Sequence, residues 1–409
     1  MEISFFIPIL VTLSGIYLLF KLKFFLFLHP LRTFKEFIGE LKNRDSRRSF
    51  FLALAGTLGV GNIFGVSAGI MIGGAGCLFW LLLSSVFSMI IKYAETLTVC
   101  ASPDNECGMS GVLENSFKKR GRMLSCLYAA FTVLLSLFMG AAIQSRAITE
   151  LSYSTLGLNP YICGFILVIL FLPCLLGGLR KIEKVTEILI PLTTIIYILM
   201  CFAVIFINIE RIPSVIKEIL SSAFSFRSAA GGISAVAIKE GFARGILSNE
   251  AGAGTSALAH STAKGRTAHI AGLFGAFEVF FDTTLLCMLS GFAILTSIPD
   301  ISVFKTPMSL IGAAFISTLG DFSGYLLTFL TLSFAYSTVI CWYFYGERLS
   351  SIYYKKIYRI YPLLFLLSLF LSPLLSSAFL LYVVDILLLF MSFMTISAIV
   401  KQVKKMTKK

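Results

Sequence analysis

Charged residues, and acidic residues above all, are scarce in this sequence. Only 13% of the 409 residues are charged and only 21 are Asp or Glu, whereas a soluble domain carries about a quarter charged residues. Hydrophobic residues make up 57% of the chain and the mean hydropathy is +0.90. This composition excludes an ordinary cytosolic enzyme, a disordered chain and a secreted disulfide scaffold. It predicts a membrane protein.

Sequence patterns for metal, redox or nucleotide chemistry are also lacking. The nine cysteines form no CxxC pair and lie mostly in apolar stretches, and the three histidines show no HExxH spacing. Gly59 and Gly61 begin like a dinucleotide fingerprint, but the next glycine is Gly65 and no strand precedes them. We therefore expect neither enzyme activity nor a cofactor.

Eleven apolar segments approach the length of about 20 residues that a membrane-spanning helix needs. They lie near 5–27, 51–72, 76–99, 123–145, 160–177, 187–208, 236–260, 270–296, 308–344 (one long or bent helix), 360–375 and 377–400. Lys and Arg concentrate in alternate loops and in the tail, which places those parts in the cytoplasm and the amino terminus outside. The net charge of +13 is thus an orientation signal and predicts no nucleic-acid partner.

Two connecting segments have the pattern of helices that lie on the membrane surface. Apolar residues recur three or four positions apart between Leu31 and Leu41, and again between Ile212 and Ala223, with polar residues between them. Such helices brace or gate some transporters and simply anchor other proteins. The sequence leaves both alternatives open.

The second apolar segment contains four glycines within ten positions. Each glycine in a helix interior costs about 1 kcal/mol relative to alanine. Gly61 and Gly65 fit the alternative of close helix packing through small residues, but Gly56, Gly59 and Asn62 do not lie on that stripe. We predict a broken helix here, with its free backbone groups lining a polar cavity.

A second unusual segment, residues 248–254, reads Ser-Asn-Glu-Ala-Gly-Ala-Gly within the seventh predicted span. An ionisable group at this depth costs at least a few kcal/mol unless it is paired, so Glu250 is a candidate functional residue. The alternative is an ion pair with Arg244 or Arg146 that holds helices together. The residues alone do not separate the two interpretations.

The two interrupted segments occupy corresponding places in two runs of five predicted helices. By the charge pattern the runs have opposite orientations, which points to a secondary transporter with its site at the bilayer midplane. Half-helix amino termini attract a carboxylate, and exposed carbonyl groups attract a cation. An amino acid together with Na⁺ satisfies both.

The predicted organisation has five parts. Residues 1–49 form the first transmembrane helix and a cytoplasmic amphipathic connector, 50–208 the first five-helix repeat, 209–235 an external interfacial helix and loop, 236–401 the second five-helix repeat, and 402–409 a basic cytoplasmic tail.

Several of these motifs together resemble the alanine or glycine:cation symporter family. The resemblance runs from about Phe50 to Glu347 and rests on the segments 56–63, 73–80, 92–95, 244–252, 281–283 and 345–347. It implies an all-α, leucine-transporter-type inverted repeat with one extra amino-terminal helix. It also implies Na⁺-driven uptake of alanine or glycine across a bacterial or archaeal cell membrane.

The resemblance also implies roles for individual residues. Substrate contacts are expected at Thr57, Gly59, Gly61, Asn62, Gln144, Asn249, Gly252 and Gly254. Sodium ligands are expected at Gly56, Gly59, Ser337 and Thr338. Structural or gating roles are expected for Glu250, Arg244 and Asp282.

Simpler interpretations exist for some of these residues, and the sequence departs from the family at others. Gln144 alone fits a helix–helix hydrogen bond, and hydroxyls such as those of Ser337 and Thr338 commonly bond their own helix. Val60 stands where the family usually has Thr, and Phe64 where it usually has a small residue. A smaller pocket, coupling to H⁺ or a different small solute are therefore alternatives.

Overall fold

The computed structural model describes residues 6–175, 177–224 and 232–406. Within these residues all regular secondary structure is helical. The loop predicted after Ala223, at residues 225–231, and the tail residues 407–409 lie outside the described part of the chain.

The helices follow one another in an order close to that predicted. Their bounds are α1 Phe6–Lys21, α2 Phe25–Leu28, α3 Pro30–Glu40, α4 Arg44–Thr57, α5 Gly61–Gly73, α6 Cys77–Cys100, α7 Met109–Ser116, α8 Lys118–Tyr153, α9 Pro160–Leu175, α10 Gly178–Ile207, α11 Ile212–Ala223, α12 Gly232–Asn249, α13 Ala257–His260, α14 Ala268–Ser297, α15 Pro307–Leu319, α16 Asp321–Tyr353, α17 Lys355–Leu371 and α18 Ser377–Met406.

Seven of the described helices are long and apolar enough to cross a membrane, and the bent pair α4 and α5 makes an eighth span. Three further apolar helices are shorter: Phe6–Lys21, Pro160–Pro173 and Pro307–Leu319. The chain is accordingly a multi-pass, all-helical membrane protein. The predicted total of eleven spans stays a prediction.

One predicted span differs from the structure. The segment 308–344 is not one helix, because α15 ends at Leu319 and α16 begins at Asp321. Gly320 between them has a φ of +80°, a backbone conformation that favours glycine. The segment 236–260 is interrupted as the sequence predicts, since α12 ends at Asn249.

Helix α6 lies at the centre of the fold and packs against α12 and α14, while α4 packs against α10 and α16. Helix α5 packs against α12, so the two interrupted segments are neighbours in space. This arrangement places both breaks inside the bundle.

Both predicted amphipathic segments form helices, α3 and α11. In α3, Phe37 is fully buried and its ring stacks on Phe277 with centroids 4.4 Å apart, whereas Leu31 is 84% exposed. The helix therefore attaches to the bundle through one face and leaves an apolar side chain outside it.

Candidate functional site

The first glycine-rich segment is a broken helix, as the sequence predicts. Helix α4 ends at Thr57, α5 begins at Gly61, and their axes differ by 48°. The break frees the backbone N–H of Val60, which donates a hydrogen bond of 3.1 Å to Oε1 of Gln144 on α8. Gln144 therefore supports the broken backbone directly.

Side chains of helix α16 donate hydrogen bonds to carbonyl groups at the end of α4, next to the first break. The Thr338 hydroxyl donates to the carbonyl of Ala55 at 2.9 Å, and the Trp342 indole donates to the carbonyl of Gly56 at 3.2 Å. The Thr338 hydroxyl also lies 3.0 Å from the Phe334 carbonyl of its own helix. Among the described residues, the Ser337 hydroxyl bonds carbonyls of its own helix alone, at 2.8 Å and 3.1 Å. Of the two predicted hydroxyl ligands, Thr338 reaches the break.

A cavity opens beside the first break. Its walls include backbone and side chains of α4, α5, α8, α12 and α18, among them Gly56, Thr57, Gly59, Val60, Gly61, Phe64, Met139, Gln144, Leu247, Ser248 and Leu381. A methyl group added to Gly61 would meet nothing within 4 Å, whereas one added to Gly59 would lie 3.0 Å from the Gln144 amide and from Thr338 Oγ1. Gly59 thus allows close packing, and Gly61 faces open space.

The second glycine-rich segment is also interrupted, and the backbone shows why. Glu250, Gly252 and Gly254 have φ values of +54°, +92° and +76°, which a right-handed α-helix does not accommodate. The Asn249 side chain accepts a hydrogen bond from the N–H of Ala251 at 3.0 Å and so closes the end of α12. Helix α13 resumes at Ala257.

A buried polar network joins the two breaks. Asn62, from the first break, donates its amide hydrogen to Asp282 on α14. The Ser248 hydroxyl, from the second break, lies 2.8 Å from Oδ1 of Asn62 and 2.7 Å from Oδ2 of Asp282. Thr283 donates to Asp282 at 2.7 Å and accepts from the Asn249 amide at 3.0 Å. Asp282 therefore contacts residues of both breaks.

The predicted substrate contacts fall into two groups. Thr57, Gly59, Gly61 and Gln144 line the cavity, and Asn62 lies in the polar network behind it. Asn249 joins the same network through Thr283, whereas Gly252 and Gly254 lie on another side of the second break. There the N–H of Gly252 donates to Glu95, and Gly254 lies near Met109 and Tyr128. The assignment of all eight residues as substrate contacts stays a prediction.

The structure corrects the ion pairs considered for Glu250. Arg244 pairs with Glu240 at 2.8 Å, and Arg146 pairs with Glu150 at 2.7 Å, each one turn away on its own helix. Glu250 instead lies 2.6 Å from the hydroxyl of Thr255. Neither arginine is therefore its partner, because each already has a carboxylate four positions along its own helix.

Several buried polar residues at the breaks do not appear among the predicted site residues. They are Lys92, Glu95, Trp342, Tyr128, Glu278 and His260, all 2% exposed or less. Lys92, Glu95 and Glu278 could have been found from sequence, because an ionisable residue inside an apolar span is a candidate by default. Trp342 carries no such signal, since a tryptophan in an apolar span is ordinary.

Comparisons with known proteins agree with this geometry. The profile described as the sodium:alanine symporter family matches residues 1–409. The chain is 32% identical over 313 residues to the sodium/alanine symporter AgcS of Methanococcus maripaludis, covering 74% of this chain and 69% of that protein. It is 28% identical over 322 residues to the sodium/proton-dependent alanine carrier protein of Bacillus sp. (strain PS3), covering 74% and 72%.

Among solved structures, a mutant of the manganese transporter of Eremococcus coleocola aligns with a TM-score of 0.59 at 12% identity. The alignment covers 86% of this chain and 76% of that one. At this identity the likeness concerns the fold alone. From the profile match over its whole length and from its curated relatives, the chain belongs to the sodium:alanine symporter family, whose members are membrane transporters and not enzymes.

Proposed function

We propose that this protein carries a small neutral amino acid, alanine or glycine, together with Na⁺ across the cytoplasmic membrane. The observation that carries the proposal is the link between the two breaks. Asn62 and Ser248, one from each, meet at Asp282 beside a cavity that the first break lines. A solute that binds one break therefore acts on both.

The cavity offers a zwitterion the groups it needs. Backbone at Gly59 and Gly61 borders the cavity at the amino end of α5, where N–H dipoles favour a carboxylate. The Gln144 amide supplies further polar atoms at the same place. Phe64 also lines the cavity and reduces the room for a substrate side chain, which favours alanine or glycine over larger amino acids.

Thr57, Asn62, Asn249, Gly252 and Gly254 complete the proposed substrate set. Of these, Thr57 borders the cavity directly, and Asn62 and Asn249 act through the network at Asp282 and Thr283. Gly252 and Gly254 contribute the φ values that open the second break.

Sodium is proposed to bind between α4 and α16, at carbonyl groups of Gly56 and Gly59 and hydroxyls of Ser337 and Thr338. Oxygen atoms of this kind suit a hard cation. The Thr338 hydroxyl already approaches the carbonyl of Ala55, which supports Thr338 as the principal hydroxyl ligand. In this structure the Trp342 indole N–H donates a hydrogen bond to the carbonyl of Gly56. This carbonyl can therefore bind sodium only after that hydrogen bond has lengthened or broken.

Alternating access follows if the two breaks change together. We propose eleven spans, two inverted five-helix repeats, an external amino terminus and a cytoplasmic tail, on the basis of the charge pattern in the loops. Na⁺ and the amino acid are coupled if both bind the same conformation more tightly. Such coupling is typically about 1–3 kcal/mol.

Binding tests this proposal on the purified protein. We expect L-alanine or glycine to raise the thermal unfolding temperature in NaCl and much less in choline chloride, because each ligand stabilises the form that binds the other. A panel of L- and D-amino acids identifies the preferred substrate. Stabilisation by none of the small neutral amino acids in either salt contradicts the proposal.

A further inference from the structure

Ionisable side chains gather behind the second break, on the side away from the network at Asp282. Lys92 and Glu95 come from α6, Glu278 from α14, His260 from α13, and Glu250 from the break itself. All five are at most 1% exposed. The proposed transport cycle assigns no ligand to this cluster.

The charges of this cluster do not balance. Glu95, Glu250 and Glu278 are three carboxyl groups around one ammonium, Lys92, and even a charged His260 leaves one carboxylate in excess. A buried charge without a partner costs several kcal/mol, and a carboxylate in that position takes up a proton instead. The cluster therefore needs at least one further positive charge.

The hydrogen-bond partners show which carboxyl group is best placed to hold a proton. Glu278 lies 3.4 Å from the Lys92 ammonium and 2.9 Å from Nε2 of His260, so both of its oxygens have partners. Glu95 accepts from the backbone N–H of Gly252, a group that can only donate, and its second oxygen has no partner among the described residues. Each of these two groups thus has one oxygen bonded to a group that can only donate, the Lys92 ammonium or the Gly252 N–H, as ionised carboxylates do.

Glu250 differs from both. One of its oxygens lies 2.6 Å from the hydroxyl of Thr255, and a hydroxyl can accept a hydrogen bond as well as donate one. Its other oxygen, Oε1, is buried and has no hydrogen-bond partner among the described residues. No ammonium, ring N–H or backbone N–H thus bonds Glu250 in the described structure. A protonated carboxyl group suits this setting, because the Thr255 hydroxyl can accept its hydrogen, whereas the Gly252 N–H at Glu95 cannot.

An independent observation places a free polar atom beside this segment. The Ser392 hydroxyl, from α18, is 1% exposed and has no hydrogen-bond partner within the described residues. It faces Gly252, since a methyl group on that glycine would lie 3.3 Å from Ser392 Oγ. Two buried oxygen atoms beside this part of the break, Glu250 Oε1 and Ser392 Oγ, thus have no hydrogen-bond partner among the described residues.

The groups that face Glu250 come from every neighbouring helix. They are Lys92 of α6, Tyr128 of α8, Thr255 of the break, Glu278 and Asp282 of α14, and Cys341 and Tyr345 of α16. Lys92 is the one ammonium among them. In the described part of the chain, no three His, Cys, Asp or Glu side chains are placed to hold a metal ion.

We propose that the Glu250 carboxyl group is a proton-binding site, occupied in this conformation, through which the second break responds to protons. Glu250 sits in the break with a φ of +54°. Loss of its proton adds a negative charge to a cluster that already contains Glu95 and Glu278. The added repulsion between carboxylates destabilises the present conformation of the break. The proton is thus a ligand of the transporter in addition to those of the proposed function.

Infrared difference spectroscopy of the purified full-length protein tests this directly. A protonated carboxyl group gives a C=O stretching band separate from the amide bands, and the band shifts in D₂O. We expect this band in the wild-type protein at neutral pH and its loss in Glu250→Gln, which keeps the size of the side chain. Glu95→Gln is the matched control, because Glu95 is equally buried at the same break and also has one oxygen without a partner in the described structure. It should retain the band.

A second variant keeps the test decisive if Glu250→Gln does not fold. Thr255→Val removes the hydroxyl next to Glu250 and should shift the same band to higher frequency without abolishing it. A band that survives Glu250→Gln, or that disappears in Glu95→Gln or Asp282→Asn instead, overturns the assignment.

Sodium at Glu250 is the remaining alternative, and the same spectra exclude or reveal it. If the wild-type band is absent and exchange of choline chloride for NaCl alters carboxylate bands that Glu250→Gln removes, the site binds sodium and the proposal is wrong. The measurement requires no transport. Its failure is therefore distinguishable from the failure of sodium-driven alanine uptake.

Discussion

Ser248 and Asn62 lie 186 positions apart in the chain, and a hydrogen bond of 2.8 Å joins them. Each belongs to a different helix break, and both contact the carboxyl group of Asp282. Under the proposed function, this bond couples the cavity beside the first break to the second break.

Loss of the link should weaken the coupling of the two breaks. Asn62→Ala leaves the buried Asp282 carboxyl group without one of its donors, which should cost about 1–3 kcal/mol of stability. Ser248→Ala should cost less, and the double variant should cost less than the sum, since the two side chains share one network. Thermal unfolding of the four proteins measures this. Ser125→Ala, whose hydroxyl bonds the carbonyl of Ser110 and contacts Tyr353, should be additive with Asn62→Ala. Additivity of Ser248→Ala would contradict the network.

Gln144 should matter for the amino acid more than for the fold. Gln144→Ala removes the acceptor of the Val60 N–H at the wall of the cavity, and we expect alanine affinity to fall about tenfold, which is about 1.4 kcal/mol. Isothermal titration in NaCl measures the change. The matched control is Ser145→Ala, the next residue, whose hydroxyl bonds the carbonyl of Leu369. Equal affinities for wild type and Gln144→Ala would assign Gln144 to helix packing alone.

Gly59 and Gly61 should respond differently to the same added methyl group. Gly59→Ala brings a methyl group within 3.0 Å of Gln144 and Thr338, so binding of all substrates should decrease. Gly61→Ala has room for the methyl group but places it toward the cavity. It should therefore reduce alanine binding more than glycine binding. One methyl group changes the binding free energy by about 1–3 kcal/mol in such a pocket. Competition binding with both amino acids separates these outcomes. An unchanged alanine-to-glycine ratio in Gly61→Ala places the substrate elsewhere.

The sodium dependence should follow Thr338 more closely than Ser337. Thr338→Val keeps the shape of the side chain and removes the hydroxyl at the first break, so the Na⁺ concentration for half-maximal alanine binding should rise several-fold. Thr338→Ser should restore most of the affinity. Ser337→Ala should have the smaller effect, because that hydroxyl bonds its own helix. A larger effect at Ser337 than at Thr338 would reverse the proposed ligand order.

Both breaks could be predicted from sequence because their cause is local. Clustered glycines disfavour a continuous helix wherever they occur, and the segments around Gly59 and Gly252 show this. The break at Gly320 could not be predicted in the same way. The same stretch contains Gly312 and Gly324, which lie inside helices, so its composition does not single out Gly320 as the break.

The partners of the break residues could not be predicted, because they depend on tertiary packing. Asn62 clearly needed a partner once buried, but its bond to Asp282 spans 220 positions. The Trp342 bond to Gly56 depends equally on how helices meet. The pairing of Arg244 with Glu240 is different, because the two residues lie four positions apart on one helix and their contact is local. The buried charges at Lys92 and Glu278 were visible as ionisable residues in apolar spans, yet their convergence behind Glu250 was not.

The most direct test of the account is transport itself. Proteoliposomes containing the purified protein are loaded with choline chloride, placed in NaCl or in choline chloride, and supplied with radiolabelled L-alanine or glycine. The account predicts concentrative uptake of one of these amino acids under the inward Na⁺ gradient and only slow equilibration in choline. Equal uptake in the two salts, or no uptake of either amino acid by protein that binds it, would contradict sodium-coupled symport.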